Sequence, residues 1–193
     1  ERRADFERVY LRDMLARPGR FDAVTFISVL HEFYEYGEGM SSVIKAVADA
    51  YELLESGGKI IIRDMILPES AKAARADSII AKIRAVPAMI PLIADFEREH
   101  GPLETLYAAN HFLLKYMYTD NWERECKEHY VPVTKEQYGQ LGALLGATPE
   151  HEETYLIPYL REKWRADFGL SDAELDQLAS TTILVFRKPA AAN

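Results

Sequence analysis

A chain of 193 residues has room for one domain with a sizeable core, or a domain and an appendage. Lys and Arg number 23 against 31 Asp and Glu, a formal net charge of −8 that argues against a free-standing nucleic-acid binder with its dense basic face. A charged fraction of 28% beside 48% apolar residues excludes a disordered chain, one cysteine excludes an intrachain disulfide scaffold and fits a reducing, cytoplasmic compartment, and no apolar run approaches the roughly 20 residues of a membrane span.

The chain opens at Glu1 without a secretory signal and reads as the downstream part of something longer, or as a trimmed chain. Residues 6–11 alternate apolar and charged side chains, which predicts a short strand ending at Arg12-Asp13, and Pro18-Gly19 punctuates it. Residues 21–30 are almost continuously apolar and β-branched, the pattern of a strand covered on both faces in a parallel sheet, ending at His31-Glu32. After a loop bearing tyrosines and glycines, Ser41 or Ser42 can cap a helix with Val43, Val47, Ala50, Tyr51 and Leu54 at helical spacing, stopped by Gly57-Gly58. Residues 59–64 make the next strand, so strand, helix and strand form a right-handed βαβ unit. From 70 to 130 the chain turns helical, broken at Pro87, Pro91 and Gly101-Pro102, and reads as a helical cap inserted over the sheet edge. Thr134 with Gln137 three residues on predicts a capped helix. Residues 154–160 and 181–186 read as two further strands, joined through a short helix capped at Ser171, and 189–193 as a frayed tail. No repeat, low-complexity tract or linker interrupts the chain, which predicts a single α/β domain over 1–193.

The succession Phe21-Asp22-Ala23-Val24-Thr25-Phe26-Ile27-Ser28-Val29-Leu30-His31-Glu32, a helix ending Leu53-Leu54-Glu55-Ser56-Gly57-Gly58, and Lys59-Ile60-Ile61-Ile62-Arg63-Asp64 resembles the class I S-adenosylmethionine-dependent methyltransferases. Ser56 stands where that family usually has proline. The resemblance implies a partial Rossmann-like sheet closed by a C-terminal antiparallel hairpin, with S-adenosyl-L-methionine as cofactor. The family's glycine-rich cofactor loop has no match: neither Gly37-Glu38-Gly39 nor Gly142 to Gly146 both follows a strand and opens a helix. The resemblance therefore implies that an upstream segment or a partner chain supplies that loop, while this chain supplies the substrate half.

In the family's frame Asp13 and Met14 fall where the adenine is held, although Asp13 is equally a solvated turn residue. Ser28 and His31 fall beside the cofactor, with His31 and Glu32 as the catalytic candidates. His31 either takes or orients a proton, as its ordinary pKa near 6.5 allows, or packs beneath the cofactor. Asp64 begins a turn, Asp64-Met65-Ile66-Leu67-Pro68, that resembles the one framing the mouth of small-molecule O-methyltransferases. Tyr34, Tyr36, Asn110, His111, Tyr116, Tyr118 and Trp122 either wall a substrate pocket or belong to ordinary core. Tyr159 and Arg161 lie in a stretch where Arg161, Lys163 and Arg165 could hold an anion or form a solvated charge run. The five histidines show no zinc spacing, so no metal is expected. Methyl transfer to a small molecule is the leading expectation; a scaffold that lost the cofactor loop, and an RNA methyltransferase, are the alternatives.

Overall fold

A computed structural model describes residues 8–16 and 21–190. Residues 8–10 form no strand, and helix α1 (Leu11–Leu15) follows them. The strand expected over 6–11 is thus not formed within its described part. Leu11, Met14 and Leu15 share one helical face, and Leu11 packs on the sheet core. Residues 6, 7, 18, 19 and 191–193 lie outside the described residues.

Strand β1 (Phe21–Ile27) passes into helix α2 (Leu30–Glu35), α3 (Met40–Leu53) and strand β2 (Leu54–Asp64). β1 and β2 pair in parallel, with Phe26 opposite Ile62, as a βαβ unit requires. Three details differ from the sequence reading. Residues 30–35, read as the end of a strand and a loop, form helix α2. Helix α3 stops at Leu53, before the glycine pair, and β2 runs through it. Gly57 has φ of +81°, and a side chain on Gly58 would meet the backbone oxygens of Glu55 and Phe21 at 3.0 and 3.1 Å. The pair therefore makes the irregularity in register beside Phe21, which only glycine tolerates. The first strand also ends three residues early, and most of it is exposed. It lies on the sheet edge, where Phe21 and Ile27 face open space, Ile27 being 52% exposed.

Helices α4 (Asp77–Arg84), α5 (Ile90–His100), α6 (Leu106–Lys115) and α7 (Trp122–Lys127) fill the segment read as a helical cap. Helix α8 (Lys135–Leu144) starts on the expected box, with Thr134 Oγ1 accepting from the Gln137 amide and the Gln137 side chain from that of Thr134. Strand β3 is Thr148–Tyr155 rather than 154–160, and Pro158 opens helix α9 (Pro158–Phe168). Proline suits a first helical position, where its missing N–H is not needed. Leu160, Trp164 and Phe168 recur every four residues and are all buried. A second capping box at Ser171 and Glu174 starts α10 (Asp172–Leu175), and strand β4 (Thr181–Arg187) closes the chain. The sheet order is β1-β2-β4-β3, with β4 antiparallel to both neighbours. The C-terminal antiparallel pair is present, and the architecture is mixed α/β.

Two apolar cores result. One joins Phe26, Ile60, Ile62, Leu184 and Phe186 of the sheet to Val43, Val47 and Ala50 of α3 and Leu141 of α8. The other unites Ile79, Ile83, Phe96, Phe112 and Leu113 of the cap with Trp164, Phe168 and Leu175. Complete burial of each such side chain is worth about 1.5–3 kcal/mol. Helices α9 and α10 thus belong to the cap's core, which the sequence reading had confined to 70–130.

Candidate functional site

Asp64 ends β2 and is 3% exposed. Helix α2 has Val29 at its N-cap, which offers no side-chain oxygen. Asp64 supplies one from the neighbouring strand: its Oδ2 accepts from the amides of Leu30 at 3.0 Å and His31 at 3.4 Å. Those amides are among the donors a helix start leaves unpaired, and the helix dipole favours a carboxylate there. The other oxygen, Oδ1, accepts from the Met65 amide at 2.9 Å and lies 2.8 Å from His31 Nδ1. A carboxylate on Nδ1 fixes that nitrogen as the N–H and leaves Nε2 with the lone pair. Burial works to lower the His31 pKa, but the Asp64 hydrogen bond and charge, helped by Glu32 and Glu128, outweigh it and raise the pKa above its ordinary value.

This dyad lines a cleft of about 500 Å³ between the C-terminal ends of β1 and β2 and the helical half. Open α/β sheets bind ligands beyond that end of their strands. One wall is polar: Ser28, His31, Glu32, Arg63, Asp64, Ser180 and Thr181. The other is largely apolar and aromatic: Leu114, Met117, Tyr118, Tyr130, Ile157, Tyr159 and Leu160. Tyr130 has its ring 5.9 Å from that of His31 and gives its hydroxyl hydrogen to Glu125. Glu128 accepts from the Tyr36 hydroxyl and from Arg124 Nε, and these bonds hold its carboxyl below the usual range although burial opposes them. Ser28 has φ of 49°, a left-handed conformation that costs a non-glycine residue about 1–3 kcal/mol. Its amide donates to Arg63 O at 2.7 Å and its Oγ accepts from Arg63 Nη1 at 3.0 Å, so β2 holds the strained turn in place.

Of the candidates from sequence, Ser28, His31, Glu32, Asp64, Tyr118 and Tyr159 meet in this cleft. Tyr36 and Trp122 line a wider open groove of about 760 Å³ that adjoins it through Arg124 and Glu128, and Trp122 Nε1 donates to Asp95. Seven others do not reach the cleft, buried His111 among them. Asn110 is fully buried and binds both backbone groups of Ala179 at 2.8 Å, tying α6 to the segment before β4. Tyr116 is core, its hydroxyl on Asp167 at 2.6 Å. Arg161 is paired with Asp172 and Asp176 on exposed helical surface, so the cations of α9 are neutralised rather than held for an anion. Tyr34 packs on the sheet core and faces the His129 ring. Asp13 and Met14 lie in α1, so Asp13 does not end a strand. Glu125, Glu128 and Tyr130 escaped the sequence reading because they flank Cys126 in a charged run with no motif.

Three of the histidines come together despite their spacing. Among the described residues His100, His111 and His129 gather in the helical half, their ligand nitrogens within 4.8 Å of one another. Burial, reinforced by the nearby Lys115 charge, pushes His100 down to about 4 and lowers His111 and His129 as well. Burial likewise brings Lys115 down to about 8. None of this is visible in spacings, because the three residues come from α5, α6 and the segment after α7.

No protein-family model matches the chain, nor does any curated protein. Solved structures similar to it include an O-methyltransferase family protein from Burkholderia thailandensis (14% identity, TM-score 0.44, covering 97% of this chain), a Bacillus halodurans protein with a provisional methyltransferase name (15%, 0.40, 92%) and the YcgJ protein of Bacillus subtilis (11%, 0.40, 93%). The chain spans 36% of the Burkholderia protein, 75% of the halodurans protein and 69% of YcgJ. At these scores the likeness adds no argument about chemistry, which rests on the cleft.

Proposed function

We propose that this chain carries the acceptor half of an S-adenosylmethionine-dependent methyltransferase site, acting on a hydroxyl of a small molecule. The observation that carries the reading is the buried His31–Asp64 pair lining a cleft beyond the ends of two parallel strands. When bound, S-adenosylmethionine supplies the methyl group as an already activated electrophile. The fit of the described residues to that cofactor is one-sided: Ser28 and His31 would form one wall, and among the described residues no glycine lies in a strand-to-helix turn to cradle the rest. The exposed edge of β1, with apolar Phe21 and Ile27 in the open, suits pairing with an upstream segment or partner chain that brings the remaining contacts.

His31 takes the acceptor's proton at Nε2, and Asp64 stabilises the imidazolium that forms while keeping the ring in one orientation. The apolar wall keeps water from the reacting oxygen and presents flat surfaces to an aromatic acceptor. The paired cations of α9 and the net negative charge favour a small molecule over RNA.

The test uses the full-length protein with a panel of small phenols, following S-adenosylhomocysteine release. His31→Ala should lower turnover at saturation about 10²–10⁴-fold and leave cofactor affinity within a few-fold. Retained turnover with weakened cofactor binding would instead make His31 a packing residue. Calorimetry on the 193-residue chain should find S-adenosylmethionine bound weakly or not at all, and a micromolar Kd there would contradict a divided site.

A further inference from the structure

The methyl-transfer reading makes no use of the imidazoles inside the helical half. His100 closes α5, His111 sits midway along α6 and His129 follows α7. The rings of His100 and His129 stack at 5.2 Å and 5°, and His111 stands edge-on to them at 4.5 and 5.1 Å. Burying polar rings from three separate segments costs free energy unless their nitrogens find partners. His129 has no hydrogen bond to its ring among the described residues, although it lies against the other two.

A positive charge already sits against this cluster. Lys115 is fully buried, and its Nζ lies 3.3 Å from His100 Nε2, 3.2 Å from Cys126 O and 2.5 Å from Glu128 O. The Tyr130 ring faces it at 4.9 Å. Among the described residues no carboxylate pairs with the ammonium, and carbonyl oxygens and ring faces hold it. The surroundings form a cage for a cation, of which the lysine is one occupant.

We propose that His100, His111 and His129 form a site for a divalent transition ion of the zinc, cobalt or nickel kind, which binds in exchange for the Lys115 ammonium. Three imidazoles with no carboxylate suit these borderline ions and not magnesium or calcium. Bonds of about 2.0–2.1 Å require the nitrogens to close to roughly 3.3 Å apart, a side-chain adjustment from the present spacing. His100 and His129 are half-buried and leave a way in from solvent. Three contacts oppose the ion: the Lys115 charge, the Tyr130 amide, which donates to His111 Nε2 at 3.2 Å, and the Cys126 carbonyl, which accepts from His100 Nε2 at 2.5 Å and must be given up or leave Nδ1 as the ligand atom. Affinity in the native chain is therefore moderate, and removing the lysine strengthens it.

The metal-stripped, untagged chain would be titrated with Co²⁺, reading the visible absorption of tetrahedral cobalt, and with Zn²⁺ by calorimetry. One ion per chain is expected. His129→Ala, at the open edge and least disturbing to the fold, should weaken binding at least tenfold, as should His111→Ala where it folds. Lys115→Met should tighten binding at least tenfold. Absence of binding in both the native chain and Lys115→Met would overturn the site; so would affinity unchanged in His129→Ala, and weaker binding in Lys115→Met would overturn the exchange.

Discussion

The sheet half and the helical half solve different problems. In the helical half Trp164, Phe96 and Phe112 are fully enclosed, and surface cations such as Lys82, Arg84 and Arg161 reach carboxylates. The sheet half has two inner strands, β2 and β4, whose alternate residues are buried, between the exposed edges β1 and β3. The contrast teaches where each half draws its order: one from a closed core, the other from a core that stops at β1. The cleft lies between them, with its ionisable pair on the sheet and its apolar wall on the helices.

Substitutions in the two halves should separate widely. Trp164→Ala, in the closed core, should cost about 3–5 kcal/mol in urea denaturation, whereas Ile27→Thr on the open edge should stay within about 0.5 kcal/mol. Equal costs would dissolve the contrast. Asp64→Asn should come next, at about 1.5–3 kcal/mol, because a buried charged acceptor of several hydrogen bonds is weakened. The His31 pKa, followed by NMR, should fall in the same variant.

Acid should act on the halves in opposite directions. The raised His31 pKa contributes stability below its unfolded value near 6.5, and that contribution is lost as pH climbs through the folded pKa. His100, His111 and His129 have lowered values, so the unfolded chain binds protons first and stability declines as pH falls below about 6.5. Hydrogen exchange at pH 5.5 and 7.5, without added metal, should show α6 losing protection in acid while α2 holds or gains it. If His31 is the base, turnover rises with pH across its own titration. The smallest effect belongs to Arg161→Ala, expected to cost under about 0.5 kcal/mol because both its carboxylate partners are exposed.

The parallel pair and its crossover helix were legible because they depend on local pattern: apolar runs, a helical repeat and a glycine pair. The Thr134 box and the cap at Ser171 were legible for the same reason. The start of α2 was not, because the residue that caps it is 34 positions away. Strand β3 was hidden in a polar run whose only reason to be extended is its pairing with β4. Helix α9 was misread at Pro158, although the repeat of Leu160, Trp164 and Phe168 was in plain view. Of the site, His31, Glu32 and Asp64 were found through a family likeness, and the wall of Glu125, Glu128 and Tyr130 had no such guide.

Asp64 serves two masters with its two oxygens, one holding the first turn of α2 and the other the imidazole. Folding of that short helix and readiness of the base are therefore a single event. If the first turn frays, the ring loses its tether in the same moment, and no population exists with a poised imidazole on a loose backbone. A variant that repaired the helix start by local means, such as Val29→Asp, would be the first to pull these two states apart.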